Sequence, residues 1–306
     1  MNKPHEVLVE KAGKWEMCEV KDLSLRRLEQ MADLVATSTQ QRIGPEHPLL
    51  SAYLPDGQRL QVVMPPACEP GTFGLAIRQP SSRKVSLSDL AQRGAFDPKL
   101  REETSKEMST VDQQLCELLA QEKIEDFLRL AVRSKKNIVI SGGTSSGKTT
   151  FLKSLTDEFG DEERILTIED VPEIELNQRN KLQLVASKGA QGVANVTVGQ
   201  LLEACLRLRP DRILLGEMRG SEAADFLELI NTGHPGSIST IHAGSPRLCF
   251  ERLCFMVKRK EGFQTMARDD LMTYIKSVVH VVVQFNRFDH GVRGLSGLWF
   301  RYAHEK

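Results

Sequence analysis

The sequence predicts an α/β protein: a mostly parallel, doubly wound sheet preceded by a smaller α+β domain. Two observations carry this. From Asn137 onward, short apolar runs alternate with helical stretches, the pattern of parallel strands joined by crossover helices. Before about residue 80, short apolar runs are separated by turn signals instead, at Leu54-Pro-Asp-Gly, Met64-Pro-Pro and Glu69-Pro-Gly. A length of 306 residues also favours two domains, since single domains commonly run to about 100–200 residues.

Taken in order, Leu23–Thr37 has helical spacing through Leu25, Leu28, Met31, Leu34 and Val35, and Leu60–Met64 and Thr72–Ile77 read as strands. Residues 81–108 are polar and broken, which suits a linker with at most one short helix at Leu87–Gln92. Leu115, Leu118, Leu119, Ile124, Phe127, Leu128 and Ala131 then fall on one helical face, with Ser109 or Thr110 as its cap. Beyond it, Asn137–Ser141, Arg164–Glu169, Leu182–Ser187, Arg212–Gly216, Ser237–Ile241 and Val278–Phe285 read as strands. Helices fit between them at 148–159, 197–208, 221–232 and 246–258. The division expected is 1–80, a linker at 81–108, and a second domain at 109–306.

Hydrophobic residues make up 40% and charged residues 27% of the chain, enough apolar material for two cores. Forty-one basic residues balance forty-one acidic ones. A dedicated nucleic-acid binder usually carries a basic excess, so no sequence-specific nucleic-acid binding is expected. No apolar run approaches the roughly 20 residues of a spanning helix, and the start of the chain has no apolar signal core. Six scattered cysteines without a Cys-x-x-Cys pair read as free thiols of a reducing compartment. A cytoplasmic protein is expected, with a peripheral seat at a membrane left open.

The sharpest chemical signal is Gly142-Gly-Thr-Ser-Ser-Gly-Lys-Thr149, a full match to G-x-x-x-x-G-K-[ST]. Its context fits, because an apolar strand precedes it and Thr150-Phe-Leu-Lys-Ser-Leu155 opens a helix. Gly142, Gly143 and Gly147 let the backbone wrap around phosphates, with Thr144, Ser145, Ser146 and Thr150 completing the loop and helix start. Lys148 would reach the β- and γ-phosphates, and the Thr149 hydroxyl would ligate Mg²⁺. ATP and Mg²⁺ are therefore the expected cofactors, and the domain is read as a RecA-like phosphate-loop NTPase.

Phosphoryl transfer also needs a group that orients water. The apolar strand Arg212-Ile-Leu-Leu-Gly-Glu217 delivers Glu217 for that task, or for a metal-bound water. Arg164-Ile-Leu-Thr-Ile-Glu-Asp170 has the same shape, making Glu169 and Asp170, with Glu173, candidates for the metal or water shell. In Gly233-His-Pro-Gly-Ser-Ile-Ser-Thr-Ile-His242, either His234 or His242 could sense the γ-phosphate or lock a switch, or simply be structural.

In this order the motifs resemble the secretion-ATPase superfamily and, within it, the VirB11-like ATPases of bacterial type IV secretion. The resemblance adds the acidic box Ile165–Glu173, the run Cys205–Gly220, the histidine box Thr232–Ala243, and the N-terminal runs Asp56–Pro66 and Ala76–Pro80. It implies a ring-shaped homohexamer with nucleotide held between the two domains, Glu217 as the catalytic glutamate and Lys148 as essential for nucleotide. It further implies that Arg59 and Arg78 close over the phosphates, with Arg207 and Arg219 as weaker interface or phosphate candidates. Implied partners are channel ATPases and inner-membrane components of the secretion system. A type II secretion or pilus assembly or retraction ATPase is the nearest alternative, disfavoured because no four-cysteine zinc module is present. A nucleic-acid-translocating motor is a more distant one.

Overall fold

A computed structural model describes residues 1–11, 13–80, 85–97, 108–189 and 192–304. The chain opens with an antiparallel hairpin, β1 (Glu6–Lys11) and β2 (Lys14–Glu19), then helix α1 (Leu25–Ser38), capped by the Ser24 side chain. Strands β3 (Leu49–Tyr53), β4 (Arg59–Val63) and β5 (Gly74–Arg78) form a three-stranded antiparallel sheet. Successive side chains of a strand face opposite ways, and β4 uses both faces: Leu60 and Val62 pack with α1 residues Leu28, Ala32 and Ala36, while Val63 turns to the larger core.

The short helix expected at Leu87–Gln92 is present as α2, with a capping box between Ser86 and Asp89. The rest of the expected linker lies largely outside the described residues, at 81–84 and 98–107. The single amphipathic helix expected through Leu115–Ala131 is instead two, α3 (Thr110–Ala120) and α4 (Ile124–Arg133). Glu122 takes φ 56° between them, a left-handed turn that stops the first helix and re-aims the second. Both still bury the expected face, and Ser109 caps the first.

The second sheet has seven strands in the order β12-β11-β6-β10-β9-β7-β8. These are β6 (Ile138–Gly142), β7 (Ile165–Glu169), β8 (Lys181–Val185), β9 (Arg212–Met218), β10 (Ile238–Ile241), β11 (Val281–Arg287) and β12 (Arg293–Phe300). All neighbours are parallel except β11 and β12, which form an antiparallel hairpin at one edge. Helices α5 (Lys148–Thr156), α6 (Val198–Leu208), α7 (Glu222–Asn231), α8 (Pro246–Val257) and α9 (Arg268–Val278) complete the layers, and α10 (Arg301–His304) ends them. Ile138 and Ile140 of β6 join the core under α3, α4 and α5, while Val139 joins the core under α6 to α9. The doubly wound α/β expectation is met.

Sequence reading missed β1, β2, β3, β12 and α9. It also started the β11 strand at Val278, which closes α9. The apolar run crosses that boundary without a break, because helix end and strand are both buried there.

The two sheets are joined by contacts within the chain. The Val185 N–H donates to Ala67 O at 2.9 Å, and Cys68 bridges to Leu184. The connection between β4 and β5 thus covers part of the β8 edge, which would otherwise offer unpaired backbone groups.

Candidate active site

Parallel strands deliver their carboxyl ends to one edge of a sheet, and in such folds ligands bind there. That edge carries the glycine-rich loop 142–149 after β6, Glu169 and Asp170 after β7, Glu217 near the end of β9 and His242 after β10.

The loop from Gly142 to Lys148 is tight. Gly147, the residue before α5, has φ 98°, a conformation that favours glycine. A Cβ on Gly142 would run into the Phe285 carbonyl oxygen and Ser146 Oγ. Lys148 is only 8% exposed and donates to Gly142 O at 3.0 Å and Gly143 O at 2.8 Å. Burial lowers its pKa and the Glu217 charge acts against that. The lysine is thus a partly desolvated cation at the start of a helix, where anions are favoured. Ser146 Oγ is buried without a hydrogen-bond partner.

Glu217 is aimed by a local irregularity. Between β10 and β9, Ser239 pairs with Leu215 and Ile241 with Met218, so β9 holds one more residue than its neighbour. This is a β-bulge, a device that redirects a side chain. Thr240 Oγ1 donates to Gly216 O at 2.7 Å beside it. Gly216 is needed on the other flank, since a Cβ there would stand 3.2 Å from Glu169 Cγ. The Glu217 carboxylate then meets a guanidinium and an imidazole. Arg219 Nε donates to Oε2 at 2.7 Å, and His242 Nε2 lies 2.6 Å from Oε1 without the angle of a hydrogen bond, leaving that buried oxygen without one. Arg219 also pairs with Asp170. Burial lowers the His242 pKa, helped by the Lys148, Arg252 and Arg219 charges and opposed by Glu217.

Not all expected residues converge. Glu169 turns its carboxylate onto the backbone, accepting from Glu173 N at 3.0 Å and Ile174 N at 3.1 Å, and burial raises its pKa. It organises the segment after β7 rather than facing the loop. His234 lies before β10 and His242 after it, at opposite edges of the sheet. His234 Nδ1 is 3.3 Å from Leu229 O, and Ser237 Oγ donates to its carbonyl, so it ties α7 to β10. Arg207 makes an exposed helical pair with Glu203 at 3.1 Å. Arg59 and Arg78 are exposed and directly opposite each other on β4 and β5. Like charges so placed are unfavourable unless an anion joins them.

The profile of the type II/IV secretion system protein family matches residues 2–287. The chain belongs to that family. The VirB11 protein of the Bartonella henselae type IV secretion system is 40% identical over 94% of this chain and 84% of its own length. The PtlH homologue of Bordetella bronchiseptica is 39% identical over 98% and 89%. The crystal structure of VirB11 from the Brucella suis type IV secretion system, in complex with sulphate, superposes with a TM-score of 0.91 at 39% identity, covering 98% of this chain and 90% of that one. Two groups that sequence reading passed over, Phe285 and Arg293, lie against the loop at Gly142 and Gly147. Their only signal was membership of an apolar run and a following basic residue, 138 or more positions from the loop they touch.

Proposed function

We propose that this secretion ATPase binds ATP at Gly142–Thr149 and hydrolyses it with Glu217 as the water-orienting base, turning hydrolysis into domain motion. The observation that carries the reading is the convergence of Lys148, Glu217 and His242 at one sheet edge, with Glu217 re-aimed by a bulge. Lys148 and the loop amides hold phosphate oxygens; Arg219 fixes one carboxylate oxygen of Glu217 by a hydrogen bond, and the other, beside His242, is left to accept from a water. A carboxylate fixed at one oxygen and open at the other places a water without reorganising during reaction.

The donors near the loop are hard oxygens, and among the described residues no three His, Cys, Asp or Glu side chains gather as a metal cage. That suits Mg²⁺, which takes most ligands from phosphate and water. Thr149 would hold it, with Asp170 or Glu217 through water, and it would neutralise charge on the phosphates.

The domain division 1–80, 81–108 and 109–306, a homohexameric ring, closure of Arg59 and Arg78 over the nucleotide, and docking to channel ATPases and inner-membrane components belong to the same proposal. No helix of the described residues is long and apolar enough to cross a membrane, which is compatible with a cytoplasmic protein seated peripherally at the inner face. ATP turnover measured with sedimentation tests it. Expected are a six-subunit ring that turns over ATP, a Lys148→Ala variant that fails to bind, and a Glu217→Gln variant that binds without turnover. A wild type that stays monomeric and inert with Mg·ATP overturns the motor.

A further inference from the structure

The hairpin at the β12 edge of the large sheet carries two arginines with no part in the proposed hydrolysis. Arg293 opens β12 and sits directly opposite Arg287, the last residue of β11. Directly opposed like charges on antiparallel strands destabilise the pair. Neither guanidinium has a hydrogen bond or ion pair with any described residue.

Arg293 is nonetheless held in place. Its Cδ and Cβ lie 3.3 and 3.6 Å from where a Cβ on Gly147 would stand, so its stem rests on the residue that precedes α5. The hairpin itself is anchored to the same spot: Phe285 stacks on Phe151 of α5 with ring centroids 4.4 Å apart, and the Phe285 backbone packs on Gly142. An exposed cation is therefore packed over a helix N-terminus, which already carries partial positive charge, and faces a second cation across the hairpin. Both penalties are relieved by one anion at the rim of the loop.

The sheet order decides which part of a nucleotide that anion belongs to. Glu217 and His242 lie on the β9 and β10 side of β6, whereas β11 and β12 lie on the other side. Attack on the γ-phosphorus runs roughly in line with the departing oxygen. A water held by Glu217 thus enters on one side, and the nucleoside diphosphate leaves toward the hairpin.

Resting on the reading of 142–149 as the nucleotide site, we propose that Arg293, supported by Arg287, binds the nucleoside monophosphate end of ATP and ADP, away from the transferred phosphoryl group. Such a contact is the same in the ground and transition states, so it sets affinity and not the chemical step. A guanidinium on a phosphate is a charge-assisted contact, whose loss weakens binding by roughly ten- to a hundredfold.

The test is equilibrium binding of fluorescent ADP and steady-state ATP turnover for wild type, Arg293→Ala, Arg293→Lys, Arg287→Ala and Lys148→Ala, each with a thermal melt. Arg293→Ala is expected to raise the ADP Kd and the ATP KM by one common factor, roughly ten- to a hundredfold, with kcat within about twofold. Arg293→Lys is expected to recover part of that loss, and Arg287→Ala to lose less. An unchanged ADP Kd in Arg293→Ala overturns the assignment. So does a fall in kcat at constant KM, which would put Arg293 on the transferred group. Loss confined to Lys148→Ala defeats the arginine assignment alone. A Lys148→Ala protein that binds ADP like wild type defeats the nucleotide-site reading and this inference together.

Discussion

The two edges of the large sheet both bury charge, and they do it differently. At the amino end of the strands, Arg164 and Arg212 are 2% and 0% exposed. Arg164 donates to Leu208 O at 2.9 Å, to Asn2 Oδ1 at 2.8 Å and to Asn180 Oδ1 at 2.6 Å. Arg212 pairs with Glu163, donates to Gly236 O at 3.2 Å and lies 4.6 Å over the Phe159 ring. His280 Nδ1 accepts from Asn137 N at 2.9 Å. At the carboxyl end, by contrast, Glu217 Oε1 and Ser146 Oγ have no hydrogen bond, and Lys148 is bound only to carbonyls of its own loop. Buried charge alone therefore does not mark a site. Where a buried cation is engaged by several protein partners, the group holds the fold together; where a buried charge keeps an oxygen without a partner beside an open loop, room is left for a ligand.

The largest test of this contrast separates the edges by what each loses. Glu217→Gln is expected to cut turnover on the order of a thousandfold, equivalent to about 4 kcal/mol of barrier, while leaving ATP affinity and the melting temperature close to wild type. Arg212→Ala is expected to do the reverse: it strands Glu163 and costs about 3–5 kcal/mol of stability, read from the denaturant midpoint, with the folded fraction still binding ATP. If Arg212→Ala instead abolished binding at full stability, the division of labour between the edges would be wrong.

The pH dependence of folding probes the amino edge next. Burial lowers the His280 pKa to about 4, helped by the Lys136 and Arg301 charges. The unfolded chain therefore binds the proton first, and stability from this group is present above the ordinary histidine pKa of about 6.5. It is lost as pH falls from about 6.5 to about 4, by on the order of 2–3 kcal/mol. Denaturant midpoints followed over that range should decline, and His280→Gln should flatten the decline. An equally steep curve in the variant would place the effect elsewhere.

The smallest test uses the two histidines of one motif. His242→Ala is expected to lower turnover roughly ten- to a hundredfold with little change in stability. His234→Ala is expected to leave turnover within about twofold and cost about 1 kcal/mol, the worth of one buried hydrogen bond. Equal kinetic effects from both would sink the assignment of His234 to structure.

Legibility from sequence followed distance along the chain. The phosphate loop, its flanking strand and its helix occupy Ile138–Thr156, and one contiguous motif with local periodicity was enough to place all three. The helical pair α3 and α4 was read as one helix, because Gln121–Lys123 carries no Gly or Pro to announce the break. Strands β1 and β2 escaped because their residues are mostly half-exposed or exposed and alternate weakly. Glu169 looked equivalent to Glu217, since both close an apolar strand; only the hydrogen bonds to Glu173 and Ile174 separate them.

By itself, the sequence determined the alternation of strands and helices, the place of the glycine-rich loop 142–149 between a strand and a helix, and the family. Each depends on residues near one another in the chain, where periodicity and motif spacing act directly. The tertiary structure decided which charges meet. It inserted β10 between β6 and β9, added the extra residue that turns Glu217 toward His242, and laid Arg293 on Gly147. Those contacts follow from strand order, register and twist, which are settled by the packing of the whole sheet against its two helix layers and leave no periodic trace in any single segment.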